Sequence, residues 1–132
     1  MNMKKQGYVE VNEHKQTKRY CQTLDLVADA EKIAEYRKYH QSEHIWDIVP
    51  EGLRSIGIYD MEIYILGTRL FMIVETPVDF DWDEAFGKLA QMPGQDEWEA
   101  FVGAFQKAPE GASSTEKWQM MEQMFKLSEI KK

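Results

Sequence analysis

The apolar positions of this chain fall into short runs that switch between two spacings. From Tyr20 to Leu26, the side chains Tyr20, Gln22, Leu24 and Leu26 alternate with Cys21, Thr23 and Asp25, which is the period of a half-buried strand. Asp29 stands where a helix cap is needed. Beyond it Ile33, Tyr36 and His40 recur at helical spacing, so one face of a helix is predicted from Ala30 to Ser42. Ile45, Trp46, Ile48, Val49 and Leu53 form a second apolar group around Pro50, read as a turn and a short helix that stops before Gly57. Ile58–Leu66 and Arg69–Thr76 are the clearest strand signals, and Gly67-Thr68 joins them as a hairpin. Two further helices are predicted, from Asp81 to Met92 and from Gln95 to Phe105, with Pro93-Gly94 breaking between them. Ala108 to Ser114 is a loop rich in breakers. Lys117 to Leu127 reads both ways: its composition favours a helix, its alternation and position a closing strand.

The order strand, helix, strand, strand, helix, strand is that of a ferredoxin-like split βαβ fold in the α+β class. It yields one antiparallel sheet with helices on one face. Apolar side chains also fall on the other face, and a sheet apolar on both faces needs a second cover. The pattern therefore predicts a homodimer, in which two sheets close a dimeric α+β barrel.

Composition then narrows the function. A chain of 132 residues with 43% hydrophobic content is one domain able to bury a core unaided. Residues 1–18 are polar and lack the apolar run of a signal peptide, so they are expected to be a flexible extension of a domain at 19–132. Sixteen Lys and Arg against 23 Asp and Glu give a net charge of −7. That balance argues against a nucleic-acid binder and against an anionic membrane surface. One cysteine, Cys21, forms no intramolecular disulfide, and no stretch has the length of a membrane span. A cytoplasmic location is the expectation. The chain shows no glycine-rich phosphate loop, no C-x-x-C and no G-x-S-x-G, which removes support for ATP-dependent, nicotinamide-dependent and serine-hydrolase chemistry.

The densest chemistry lies in Tyr36 to Trp46, YRKYHQSEHIW. Tyr36 and His40 are one helical turn apart, so an imidazole able to exchange protons near neutrality meets a phenol that can orient it or donate to a sugar oxygen. On spacing alone the commoner outcome is a structural Tyr–His pair. His40, Glu43 and His44 also spell H-x-x-E-H, a zinc-peptidase pattern. A helix that ends near Ser42 spoils its geometry and no third ligand is evident, so the metal reading ranks below acid–base chemistry. Asp60 and Glu62 share a strand face with Tyr64, either solvated or aimed at a ligand. Trp46, Trp82, Trp98 and Trp118 are core packing or a platform for a sugar ring.

An ordered set of short matches spans Arg19 to Leu127. It comprises the strand ending at Leu26, the E-Y-x-x-x-H of Glu35, Tyr36 and His40, Ile45-Trp46, Ile63-Tyr64, and the L-F-x-x-V-E of Leu70, Phe71, Val74 and Glu75. Trp98, Ser113-Ser114 and Met124-Phe125-Lys126-Leu127 complete it. In this set the chain resembles the L-rhamnose mutarotase family. The resemblance implies a small dimeric ferredoxin-like protein without metal or other cofactor that interconverts the α and β anomers of a 6-deoxy-hexose. It puts the catalytic histidine at His40 and a substrate-binding tyrosine at Tyr36. The family's strand tyrosine falls on Met61, and its paired tryptophans fall on Glu97 and Trp98. The stretch from His40 to Ile45-Trp46 is longer than in typical rhamnose members and includes His44. These departures, with the added carboxylates Asp60, Glu62 and Glu97, make L-fucose a candidate beside L-rhamnose. The substrate-binding candidates are thus Trp98, Asp60, Met61, Glu97 and Trp46. A non-catalytic or monooxygenase-like dimeric α+β barrel that binds a ligand is the competing expectation. The two are separated by whether Tyr36 and His40 face the interior of the sheet with room for a sugar.

Overall fold

In the computed structural model, which describes residues 5–14, 16–108 and 112–132, two strands frame the molecule. β1 (Lys18–Asp25) and β3 (Arg69–Thr76) pair antiparallel along their whole length, from Lys18 opposite Thr76 to Asp25 opposite Arg69. β2 (Asp60–Leu66) flanks β3 and β4 (Gln119–Met121) flanks β1, both antiparallel. The resulting order, β2-β3-β1-β4, is the antiparallel sheet of the split βαβ fold. Gly67 opens the two-residue β2–β3 turn at φ 61°, a conformation that costs a glycine little.

Strand alternation sorts the side chains. Gln22, Leu24, Leu70, Met72, Val74 and Thr76 face inward and are buried. Over them lie α1 (Ala30–Lys38), α2 (Ile48–Ser55), α3 (Trp82–Ala90) and α4 (Gln95–Gly103), which contribute Tyr36, Phe86, Leu89, Trp98 and Val102 to the core. Asp29 caps α1 by accepting from the Glu31 and Lys32 N–H groups, and Asp81 caps α3 by accepting from Glu84 N–H. The outer face carries half-buried Cys21, Thr23, Tyr64, Phe71 and Ile73 among Arg19, Glu62 and Glu75. Part of the N-terminal segment lies against it: the Tyr8 ring meets Tyr64 edge-on at 5.6 Å, and Thr17 Oγ1 donates to Glu75 at 3.0 Å.

Two expectations change. The first helix ends at Lys38 and not at Ser42. His40 Nδ1 lies 2.7 Å from the Tyr36 carbonyl, the acceptor that a continuing helix would give to the His40 backbone N–H. That N–H turns instead to Arg37 O at 3.2 Å, and the ladder closes. The ambiguous C-terminal segment, Lys117 to Leu127, resolves as a short closing strand, and the helix lies just before it. α5 (Ser114–Lys117) is held by a capping box between Ser113 and Glu116, and β4 follows one residue later. Part of the Ala108–Ser114 loop, 109–111, lies outside the described residues. Among the described residues no helix is long and apolar enough to cross a membrane.

Candidate active site

Ending α1 with a side chain has a chemical consequence. A carbonyl only accepts, so the His40 nitrogen facing Tyr36 O carries the proton, and the lone pair sits on Nε2. The imidazole leans on the Tyr36 ring at 4.3 Å between centroids and on the edge of Trp98 at 5.7 Å. Burial pulls its pKa below the ordinary 6.5, with the Tyr36 carbonyl opposing more weakly. At neutral pH it is therefore an uncharged base.

Tyr36 is buried beneath it, and burial pushes its phenol up to about 12, so it keeps its proton. Gln106 Nε2 donates to Tyr36 Oη at 3.3 Å, which leaves the phenol's own hydrogen to donate elsewhere. Gln106 is fixed by backbone. It bridges Leu26, while Val27 N–H donates to Phe105 O at 2.9 Å and Lys107 N–H to Asp25 O at 2.8 Å.

Both residues line a cavity of about 100 Å³ between the inner sheet face and the helices. Met61, Ile63 and Met72 form its floor, and Trp82, Trp98 and Trp118 form aromatic walls. Polar groups are few: Gln22, Gln95, Gln106, Glu99, Ser114 and Thr115. Glu99 is neutralised by Lys117, whose Nζ donates to its Oε2 at 2.8 Å and to its backbone carbonyl at 3.0 Å. That pair ties α5 to α4. A wider groove of about 830 Å³ runs between α3, α4 and α5 and borders the cavity through Glu99, Ser114 and Thr115. A mostly apolar compartment with a few convergent polar groups is the usual form of a small-molecule site.

The candidates from the sequence divide. Tyr36, His40, Met61 and Trp98 meet in the cavity. Trp46 stands behind it, edge-on to Trp98 at 5.2 Å and stacked on Phe101 at 5.1 Å. Asp60 does not reach the cavity, because strand alternation turns it to the outer face when Met61 faces in. Glu97 is exposed on α4, since one helical step from buried Trp98 points into solvent. His44 is exposed on a turn, and among the described residues His40, Glu43 and His44 do not converge as a ligand set. The acidic groups that do approach one another, Glu10, Asp60 and Glu62, lie on the side of the sheet opposite the cavity. Gln22, Glu99, Gln106 and Lys117 were not singled out in advance. Only Gln22 carried a signal, as a polar residue on an otherwise apolar strand face.

Comparison with known proteins gives the family and the fold. The chain belongs to the L-rhamnose mutarotase family, whose sequence profile matches residues 19–127, and is thereby an isomerase of the carbohydrate-acting kind. An L-fucose mutarotase of Xanthomonas campestris pv. campestris is 37% identical over 111 residues, which cover 84% of this chain and 89% of that protein. A protein of the UPF0734 group from Dictyostelium discoideum is 46% identical over 91 residues, 68% of this chain and 71% of that one. The fold also matches the crystal structure of an L-rhamnose mutarotase from Formosa agariphila, with a TM-score of 0.62 at 17% identity, covering 83% of this chain and 98% of that one.

Proposed function

We propose that the protein interconverts the anomers of a 6-deoxy-L-hexose, L-fucose or L-rhamnose, in the cavity above Met61. The observation that carries this reading is the pairing there of an uncharged histidine, its Nε2 free, with a protonated tyrosine. Anomer exchange needs a proton removed from the anomeric hydroxyl and one delivered to the ring oxygen as the C1–O5 bond breaks. Nε2 takes the first proton. Both oxygens are bonded to C1, so the imidazolium reaches the ring oxygen and returns the proton there. Rotation about C1–C2 presents the other face of the aldehyde, and the same transfers in reverse close the ring. Tyr36 donates a hydrogen bond that orients the anomeric end. The Trp98 and Trp82 rings supply apolar faces for the C–H surfaces of the sugar. No step calls for a metal or redox group.

L-Fucose is the first sugar to test. It is the substrate named for the Xanthomonas relative, and Met61 and Glu97 stand where the rhamnose pattern has aromatic side chains. The working form we infer is a homodimer, supported by exposed apolar side chains at Met121, on the outer sheet face, and at Met124, Phe125 and Leu127 in the segment that follows it. The free thiol of Cys21 suits a reducing cytoplasm. The test is NMR magnetisation exchange between anomers of L-fucose and of L-rhamnose with and without protein. Acceleration for one sugar is the expected result; none for either overturns the reading.

A further inference from the structure

Two buried side-chain oxygens, on residues that line the cavity, have no hydrogen-bond partner among the described residues: Gln22 Oε1 and Gln106 Oε1. The residues are 2% and 6% exposed, so bulk water does not serve them. Both line the same cavity as Tyr36 and His40. They arrive independently, Gln22 from the inner face of β1, paired with Met72 and Met120, and Gln106 from the segment that bridges Leu26. A buried acceptor without a donor costs free energy that a leucine or methionine in its place would not. Gln95 shows the contrast, since its Nε2 donates to the Ile48 carbonyl and ties α4 to α2.

We propose that Gln22 and Gln106 read the hydroxyls of the sugar, each accepting one O–H from the part of the ring away from the anomeric carbon. This rests on the mutarotase reading and adds the residues that select the substrate. A monosaccharide is a rigid ring of donors, which two acceptors on separate segments sample by position and configuration. The two differ in reach. Gln22 hydrogen-bonds neither Tyr36 nor His40 among the described residues, so its role is recognition. Gln106 holds Tyr36 through its other amide atom, so it is also a positioning residue for the phenol.

The experiment compares wild type with Gln22→Leu, Gln22→Met and Gln106→Leu, using L-fucose, L-rhamnose and the 2-, 3- and 4-deoxy analogues of whichever is turned over. Gln22→Leu is expected to raise KM by about 10- to 100-fold with kcat nearly unchanged and the melting temperature equal or higher. One deoxy analogue should show a similar loss with wild type and little further loss with the variant. Gln106→Leu should lower kcat as well. Unchanged KM in both Gln22 variants, or full additivity with every deoxy analogue, overturns the proposal. Gln22→Met keeps the test open if Gln22→Leu does not fold. Should wild type exchange neither sugar, the mutarotase reading fails separately. Binding of a panel of free monosaccharides to wild type and Gln22→Met by titration NMR then decides: weaker binding by the variant upholds hydroxyl recognition, and equal or absent binding overturns it.

Discussion

The Glu99–Lys117 pair should respond asymmetrically to loss of its two halves. The Lys117 side chain is 3% exposed, and among the described residues its two hydrogen bonds, to a carboxylate oxygen and to a carbonyl, end on Glu99. Glu99 is 26% exposed and keeps a path to water. Glu99→Ala strands a buried ammonium on a single carbonyl, a loss of about 3–5 kcal/mol. Lys117→Met strands a carboxylate that water can reach and fills the aliphatic path of the lysine, so the loss is about 1–2 kcal/mol. For a domain of this size these figures are melting-temperature drops of roughly 10–20 °C and 3–8 °C. The double variant removes the stranded charge and should melt above Glu99→Ala alone. Thermal melts followed by circular dichroism give all four values. Equal losses, or a double variant no better than Glu99→Ala, would refute the placement of the lysine. The pair matters for function because Ser114 and Thr115 of the tethered α5 help line the cavity. Glu99→Ala should therefore lose turnover at temperatures where it is still folded.

Four further outcomes follow from the same geometry. Because burial lowers the His40 pKa below 6.5, kcat/KM should hold level above neutrality and fall as pH drops through that lowered value. The folded pKa lies below the unfolded one, so the stability linked to His40 is complete above pH 6.5 and is lost as pH falls through the folded value; denaturant melts against pH report it. Tyr36→Phe leaves Gln106 Nε2 without its acceptor, and is expected to cost about 1–2 kcal/mol in denaturant melts and to slow anomer exchange less than loss of His40 does. Gly94→Ala should destabilise by about 1–3 kcal/mol, read by denaturant melts, because Gly94 caps α4 at φ 88° and an added Cβ would stand 2.9 Å from Ile48 Cδ1.

Much of this architecture was legible from spacing. The alternation from Tyr20 to Leu26 and the hairpin at Gly67 set the inner face and its register, and Asp29 caps where its position implied. Pairing Tyr36 with His40 was legible too, since helical spacing brings them together. The end of α1 was not, because it depends on a side chain competing with its own backbone for the Tyr36 carbonyl. Asp60 and Glu97 illustrate the limit of reading a site by chain neighbourhood. Each adjoins a cavity residue, yet a strand step or a helix step turns it away. Gln106 and the Glu99–Lys117 pair come from contacts between segments far apart in sequence, which no local pattern encodes.

The most direct test of the central claim is NMR anomer exchange on L-fucose and L-rhamnose with wild type and with His40→Gln, at matched concentrations of folded protein. The account predicts accelerated exchange of one sugar by wild type and a loss of about 100-fold or more in the variant, with an unchanged circular dichroism spectrum. Wild-type exchange retained by His40→Gln would contradict it.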